Sequence, residues 1–145
     1  MTRTFAALCA LSLAAAPAFA DGHAGPGDAA EGEKTFNKCK SCHMIVSDAG
    51  DEIVKGGQTG PNLYAIIGRT AGTADFRYGD DLVAAGEAGL VWDAANLAEY
   101  VADPRAFLRE YLDDSKAKSR MSYKLRKGGE DVAAYLASVA PAPES

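Results

Sequence analysis

The chain has 145 residues, the length of one domain, with 15 basic against 20 acidic side chains and a formal net charge of −5. That acidic balance argues against nucleic acid as a partner. No stretch after residue 20 stays apolar for the roughly 20 residues that a bilayer-spanning helix requires, so stable membrane insertion is not expected.

The first twenty residues read as a secretory signal peptide. Arg3 supplies a positive start, Phe5 to Ala16 an apolar run too short to cross a bilayer, and Ala18-Phe19-Ala20 a small-x-small cleavage site. Cys9 lies in this segment behind Leu8, where a lipoprotein signal wants a small residue, and is expected to leave with it. The exported form is then a single domain, residues 21–145. It loses Arg3 and keeps 14 basic and 20 acidic side chains, a net charge of −6.

Residues 21–27 form a Gly-rich leader that contains His23. Asp28 and Glu31 have the spacing of a capping box and open a predicted helix over residues 29–39, with Gly32 and Phe36 on one face. Cys39-Lys40-Ser41-Cys42-His43 follows. A loop rich in Asp and Gly is predicted from Ser47 to Gly57. Gln58-Thr59-Gly60-Pro61-Asn62-Leu63 comes next, and its Pro61 has a fixed φ and no N–H. Leu63 to Ile67 is apolar and reads as a brief helix, and Gly68 to Tyr78 as loop. A short helix is predicted over residues 81–87. Asp93 caps another over 94–102, which Asp103-Pro104 stops.

One or two further turns are predicted over 105–111, then a basic loop around Met121. Gly128-Gly129 leads into a last helix over 130–139, with Val132, Tyr135, Leu136 and Val139 on one face, ended by Pro141 and Pro143. There are no repeats and no convincing strands. The expected fold class is all-α, short helices joined by long loops. Its apolar core is thin for the size, which a buried cofactor would remedy.

Cys39, Cys42 and His43 stand in the spacing C-x-x-C-H, at which two thiols and an imidazole can hold a c-type haem. A bare C-x-x-C also suits a redox disulfide or half a zinc site. Here a His follows directly, no second C-x-x-C or His pair completes a zinc tetrahedron, and the exported chain has no other Cys. These features favour haem, with thioether links from Cys39 and Cys42 and an axial bond from His43. Export fits as well, because bacteria attach c-type haem outside the cytoplasm.

The opposite axial position has three candidates. Met44 adjoins His43 and cannot easily reach the far face, and His23 lies in the leader. Met121, 78 residues beyond His43 in a loop between helical segments, is selected by elimination. A thioether is soft and neutral and favours ferrous iron, so His/Met ligation raises the reduction potential and leaves no vacant site for oxygen or peroxide. That describes a one-electron carrier.

Charge is uneven along the chain. Arg105, Arg109, Lys116, Lys118, Arg120, Lys124, Arg126 and Lys127 face only Glu110, Asp113 and Asp114 in the same interval. Such a run is either a solvated face or a docking patch, depending on what it surrounds.

Several segments, in order, carry a family resemblance. They are Phe36 to His43, Thr59-Gly60-Pro61-Asn62-Leu63-Tyr64, Gly68-Arg69-Thr70-Ala71-Gly72, Leu90-Val91-Trp92, Tyr100 to Pro104, Lys116 to Met121 and Ala133-Ala134-Tyr135-Leu136. Over nearly all of residues 28–140 the chain resembles class I cytochromes c, most closely the bacterial cytochrome c2 type. The resemblance implies the class I fold, with N- and C-terminal helices crossing at Gly32, Phe36 and Tyr135, around one covalent haem.

The resemblance also implies roles for single residues. The Pro61 carbonyl would accept a hydrogen bond from the His43 ring, fixing its orientation and basicity. Trp92 and Tyr78 would lie near one haem propionate with Arg69 behind it. Tyr100 would sit close to the Met121 sulfur, and Ser119 would touch the other propionate. The basic residues flanking Met121, with Lys34, Lys38 and Lys40, would ring the exposed haem edge and steer it to acidic patches on membrane redox complexes.

Two loops, Ser47 to Gly57 and Tyr111 to Ser119, are longer than in mitochondrial relatives, and the acidic net charge also departs from them. The function implied is a periplasmic shuttle, monomeric and not an enzyme. It would run between a cytochrome bc complex and an oxidase, a photosynthetic reaction centre or another reductase. A haem-based sensor or a peroxidase-like enzyme would instead need a displaceable sixth ligand.

Overall fold

The computed structural model describes residues 27–140; the predicted signal peptide, Cys9, His23, Pro141 and Pro143 lie outside the described residues. Helices α1 (Ala29–Phe36), α2 (Asp80–Glu87), α3 (Ala94–Ala102), α4 (Pro104–Tyr111) and α5 (Gly129–Ser138) surround the core, with one hairpin of strands β1 (Ile45–Val46) and β2 (Glu52–Val54). None of these helices is long and apolar enough to cross a membrane.

α1 and α5 cross where Gly32 brings the backbones together. A Cβ at Gly32 would stand 1.9 Å from the Asp131 carbonyl oxygen, so only hydrogen fits. One turn on, the Phe36 and Tyr135 rings meet at 5.6 Å with a 54° tilt. The Asp28 side chain caps α1 by accepting from the amides of Ala30 and Glu31. The predicted capping box is not closed by Glu31, which pairs with Lys34 at 2.6 Å. Asp131 of α5 accepts from the Asp28 amide instead, at 2.9 Å, so the cap is completed across the crossing. α1 ends at Phe36, three residues short of its predicted end, and turns carry the chain through Cys42.

α3 opens with a complete capping box. The Asp93 side chain accepts from the Asn96 amide, and the Asn96 side chain accepts from the Asp93 amide. Asp103 ends α3 and its carboxylate caps α4, with Pro104 in the first turn of α4, where a missing N–H costs nothing. α5 packs on both α1 and α3. Phe36, Leu97, Tyr100, Leu108, Leu125 and Leu136 lie in the single core these helices share.

Two expectations fail. The predicted Ser47–Gly57 loop includes strand β2, which pairs with β1 just ahead of it, Ile45 with Val54 and Val46 with Glu52. The hairpin turns through Ser47, whose hydroxyl accepts from the Asp51 amide, and through Gly50 at φ +89°. Strands of two and three residues are too short to display an alternating pattern. Leu63–Ile67 forms no helix, because Ala65 takes φ +52°, a left-handed conformation that ends any right-handed run. Its apolar residues instead line the core, Ile66 fully and Leu63, Tyr64 and Ile67 in part. From Gly68 onward the chain pairs with the Leu90–Trp92 segment, through Gly68 N to Trp92 O at 2.7 Å and Trp92 N to Arg69 O at 2.9 Å.

Candidate haem site

Cys39, Cys42 and His43 occupy one tight turn after α1. The amides of Cys42 and His43 both donate to the Cys39 carbonyl, at 3.1 and 2.9 Å. Glycines close the turn from outside. Gly57 N donates to the Lys40 carbonyl and Gly60 N to the Cys42 carbonyl, each at 2.8 Å. A Cβ at Gly56 would stand 1.8 Å from the His43 carbonyl oxygen. One at Gly60 would stand 2.5, 2.7 and 2.9 Å from three atoms of the His43 ring.

The His43 ring, seated on Gly60, is oriented by one hydrogen bond among the described residues. Its Nδ1 lies 2.9 Å from the Pro61 carbonyl oxygen. A carbonyl can only accept, so Nδ1 carries the proton and Nε2 keeps its lone pair. Burial holds the imidazole below its ordinary pKa, against the upward pull of the Pro61 carbonyl. The ring is thus neutral, with Nε2 ready to bind a metal. Pro61 is braced by its neighbour. The Asn62 amide accepts from Val46 N at 3.0 Å and donates to Val46 O at 2.7 Å. It also accepts from Tyr64 N at 3.1 Å.

Both thiols are free. Burial pushes the half-buried Cys39 thiol up, while hydrogen bonding from Thr59, and then from Ser41, brings exposed Cys42 down.

The remaining predicted residues form a second group. Arg69 donates through Nη2 to the Tyr64 carbonyl and through Nη1 to the Asn62 carbonyl, which ties this group to the His43 side. Burial raises the pKa of the Tyr78 phenol, and the nearby Arg69 guanidinium pulls the other way. The ring partner of Tyr78 is Phe76, at 5.2 Å. Trp92 is buried against Tyr100 at 5.0 Å and Phe107 at 6.1 Å, and Tyr100 meets Phe107 edge-on. Tyr100 OH lies 3.3 Å from Ser119 Oγ, so two hydroxyls expected at separate tasks face each other. Met121, two residues on, packs half-buried against the core from a segment with no regular structure.

No family model matches the chain. It is 75% identical over 139 residues to cytochrome c-551 of Roseobacter denitrificans, covering 96% of each chain. It is 61% identical over 137 residues to cytochrome c2 of Rhodobacter capsulatus, covering 94% of this chain and 95% of that one. The solved cytochrome c2 structure from Rhodobacter capsulatus matches with a TM-score of 0.77 at 63% identity, over 78% of this chain and 98% of that one. The chain belongs to the class I cytochromes c, of the bacterial cytochrome c2 type. These are electron-transfer proteins rather than enzymes, and they carry one covalent c-type haem.

The residues present fit that group. Two free thiols and a neutral imidazole with a free Nε2 share one turn, and the ring is seated on a glycine that leaves no room for a side chain. Sequence reasoning missed part of the support. Asn62 stands in one of the segments that carry the family resemblance, but nothing in the letters says that its amide will bond twice to Val46, 16 residues earlier. Phe107 read only as part of a helical turn. Asp81, whose carboxylate accepts from the Lys118 amide at 2.8 Å, carried no signal at all.

Proposed function

We propose that Cys39 and Cys42 would attach the haem through thioethers, that His43 Nε2 and the Met121 sulfur would ligate its iron, and that the protein carries one electron between membrane redox complexes in the periplasm. It is exported by cleavage after Ala20, leaving 21–145 as the working monomer. The observation that carries this reading is the His43 Nδ1–Pro61 carbonyl bond at 2.9 Å, which presents Nε2 as the ligating atom in the turn that holds both thiols.

The bound haem supplies reversible one-electron chemistry at its iron. The chain's own residues do the rest. The Pro61 carbonyl fixes the imidazole and raises its donor strength. The Met121 sulfur, as a second ligand, would leave the iron no open position for oxygen or peroxide. Arg69, Tyr78 and Trp92, with Ser119 bonded to Tyr100, would hold the haem propionates. Buried Trp92 and Tyr100, with partly buried Phe107 packed against them, would limit water around the haem, so little reorganises when the charge changes.

The docking face draws on charges that have no other task. Arg109 donates to the Ala117 carbonyl, Arg120 to the Arg77 carbonyl, and Lys124 pairs with Asp103. The side chains of Arg105, Lys116, Lys118, Arg126 and Lys127 are exposed and make no hydrogen bond or ion pair among the described residues. Five uncommitted cations in the segments flanking Met121 suit acidic patches on a cytochrome bc complex and on an oxidase, a photosynthetic reaction centre or another reductase.

The test is the visible spectrum of the exported protein in both oxidation states, with and without carbon monoxide. A low-spin covalent haem with the red ferric band of sulfur ligation, indifferent to carbon monoxide, is expected. A spectrum that shifts readily with the gas would remove Met121 as a firm ligand. Raising the ionic strength should slow electron exchange with the partner, and salt-independent rates would exclude the docking face.

A further inference from the structure

Three successive residues ahead of Met121 are each held by a different part of the chain. Ser119 Oγ meets Tyr100 OH of α3 at 3.3 Å, and Arg120 Nη1 donates to the Arg77 carbonyl at 3.2 Å. The Lys118 amide donates to Asp81 Oδ2, in the first turn of α2, at 2.8 Å. The last is the shortest and alone fixes the main chain itself. It is also charge-assisted, the stronger kind of hydrogen bond.

The main chain has one other hold here, Arg109 Nε of α4, which donates to the Ala117 carbonyl of the same peptide at 3.2 Å. Among the described residues, no backbone–backbone hydrogen bond involves residues 118–124; the ladder breaks after Ala117 N to Asp114 O and resumes with Leu125 N to Val101 O. The anchor, by contrast, is rigid. α2 lies so close on the preceding segment that a Cβ at Gly86 would stand 2.0 Å from the Ala71 carbonyl oxygen. The Asp81 carboxylate therefore joins a firmly seated helix to a segment that otherwise depends on side chains.

We propose that Asp81 is a positioning residue for Met121. By pinning the Lys118 amide to α2 it limits how often the segment carrying the thioether swings out of place, and so sets the lifetime of the sulfur–iron bond. The proposal rests on the Met121 ligation put forward under the proposed function. It concerns the tether on the chain, not the ligand itself.

The test uses the holoprotein and three variants. Asp81→Ala removes the acceptor, Asp81→Asn keeps an acceptor oxygen without the charge, and Lys118→Ala removes the lysine charge while keeping the amide. Two rates are read, hydrogen exchange of the Lys118 amide and binding of excess imidazole to the ferric iron, which waits on departure of Met121. In Asp81→Ala both should rise about tenfold, the effect of losing one such bond. Asp81→Asn should recover most of the change, and Lys118→Ala should leave both rates as they are.

The proposal is overturned if Asp81→Ala leaves imidazole binding at the wild-type rate, whatever the amide does. It is overturned equally if Lys118→Ala accelerates both rates as much, since the charge rather than the amide bond would then matter. A wild-type spectrum without the sulfur band would remove the ligation reading itself. That outcome is distinguishable, because Lys118 amide exchange reports the tether without reference to any ligand.

Discussion

On the His43 side the chain from Cys39 to Leu63 is closed by main-chain bonds and by glycines that leave no room for a side chain. On the Met121 side, residues 118–124 make no backbone–backbone hydrogen bond among the described residues, and the segment is held at scattered points by side chains reaching from α2, α3 and α4. The difference separates two tasks. Close backbone contacts either form or do not, so the His43 side decides whether the site exists. Side-chain tethers are graded and replaceable, so the Met121 side decides how tightly the second ligand is kept. Natural variation in potential and ligand lability within such a fold is expected on the second side.

The contrast breaks first at Gly60. Gly60→Ala puts a Cβ within 2.9 Å of His43 Nε2 and closer still to two other ring atoms. Either the ring or the Gly60–Pro61 segment must shift, and the His43–Pro61 bond goes with it. We expect a loss of about 3 kcal/mol in unfolding free energy, the upper range for overpacking, with a fall in the yield of covalently loaded protein. Denaturant unfolding together with pyridine haemochrome yield would check this. A Gly60→Ala protein of wild-type stability would mean that the His43 side yields as easily as the other.

Asn62 gives the next effect. Asn62→Ala leaves Val46 N, Val46 O and Tyr64 N without their partner in a half-buried place, which should cost about 2 kcal/mol. Asn62→Asp keeps the acceptor but turns a carboxylate oxygen toward the Val46 carbonyl, so it should not rescue. Stability measured for both variants sharpens the comparison. If aspartate restores what alanine loses, the donor to Val46 O contributes nothing, and the brace of Pro61 is weaker than its geometry implies.

The same two flanks explain what was legible from the letters alone. Cys39, Cys42 and His43 stand close in sequence, and short spacing carries chemistry directly, so their turn is written in the order of the residues. Pro61, 18 positions beyond His43, was legible only through the family resemblance. The α3 and α5 boundaries were legible for a similar reason, since Asp93, Pro104 and Gly128 act on their own neighbours. The β1–β2 hairpin was not, because neither strand completes two periods of its own pattern. Leu63–Ile67 was misread because apolar residues mark burial, and burial here came without helix. Asp81 and Asn62 were illegible in principle. Each acts on backbone atoms, which look identical in every residue, at separations of 37 and 16 positions.

The smallest effect falls on the Met121 side, at Tyr100. Its phenol is buried, and burial, ahead of the downward pull of the Ser119 hydroxyl, holds its pKa above the ordinary 10.0. A raised phenol pKa means that the unfolded chain gives up this proton before the folded one does. Above pH 10.0 the unfolded state therefore gains and the folded state loses, while below that pH the group contributes no pH dependence. Tyr100→Phe removes the group and its bond to Ser119, which should cost about 1 kcal/mol or less near neutrality, where half-buried Ser119 can find water. As pH rises past 10.0 the wild type should lose stability through Tyr100 and the variant should not, so the gap between them closes and can reverse. Tyr135 also has a raised value, but it is common to both proteins and cancels in the difference, while Tyr78, whose charge helps hold Tyr100 up, adds to the same loss in the wild type. Paired denaturant titrations on either side of pH 10.0 measure it. A gap that stays constant across that pH would show that the Tyr100 phenol ionises as easily folded as unfolded, and that the wall beside Met121 is wetter than the packing of Trp92, Tyr100 and Phe107 implies.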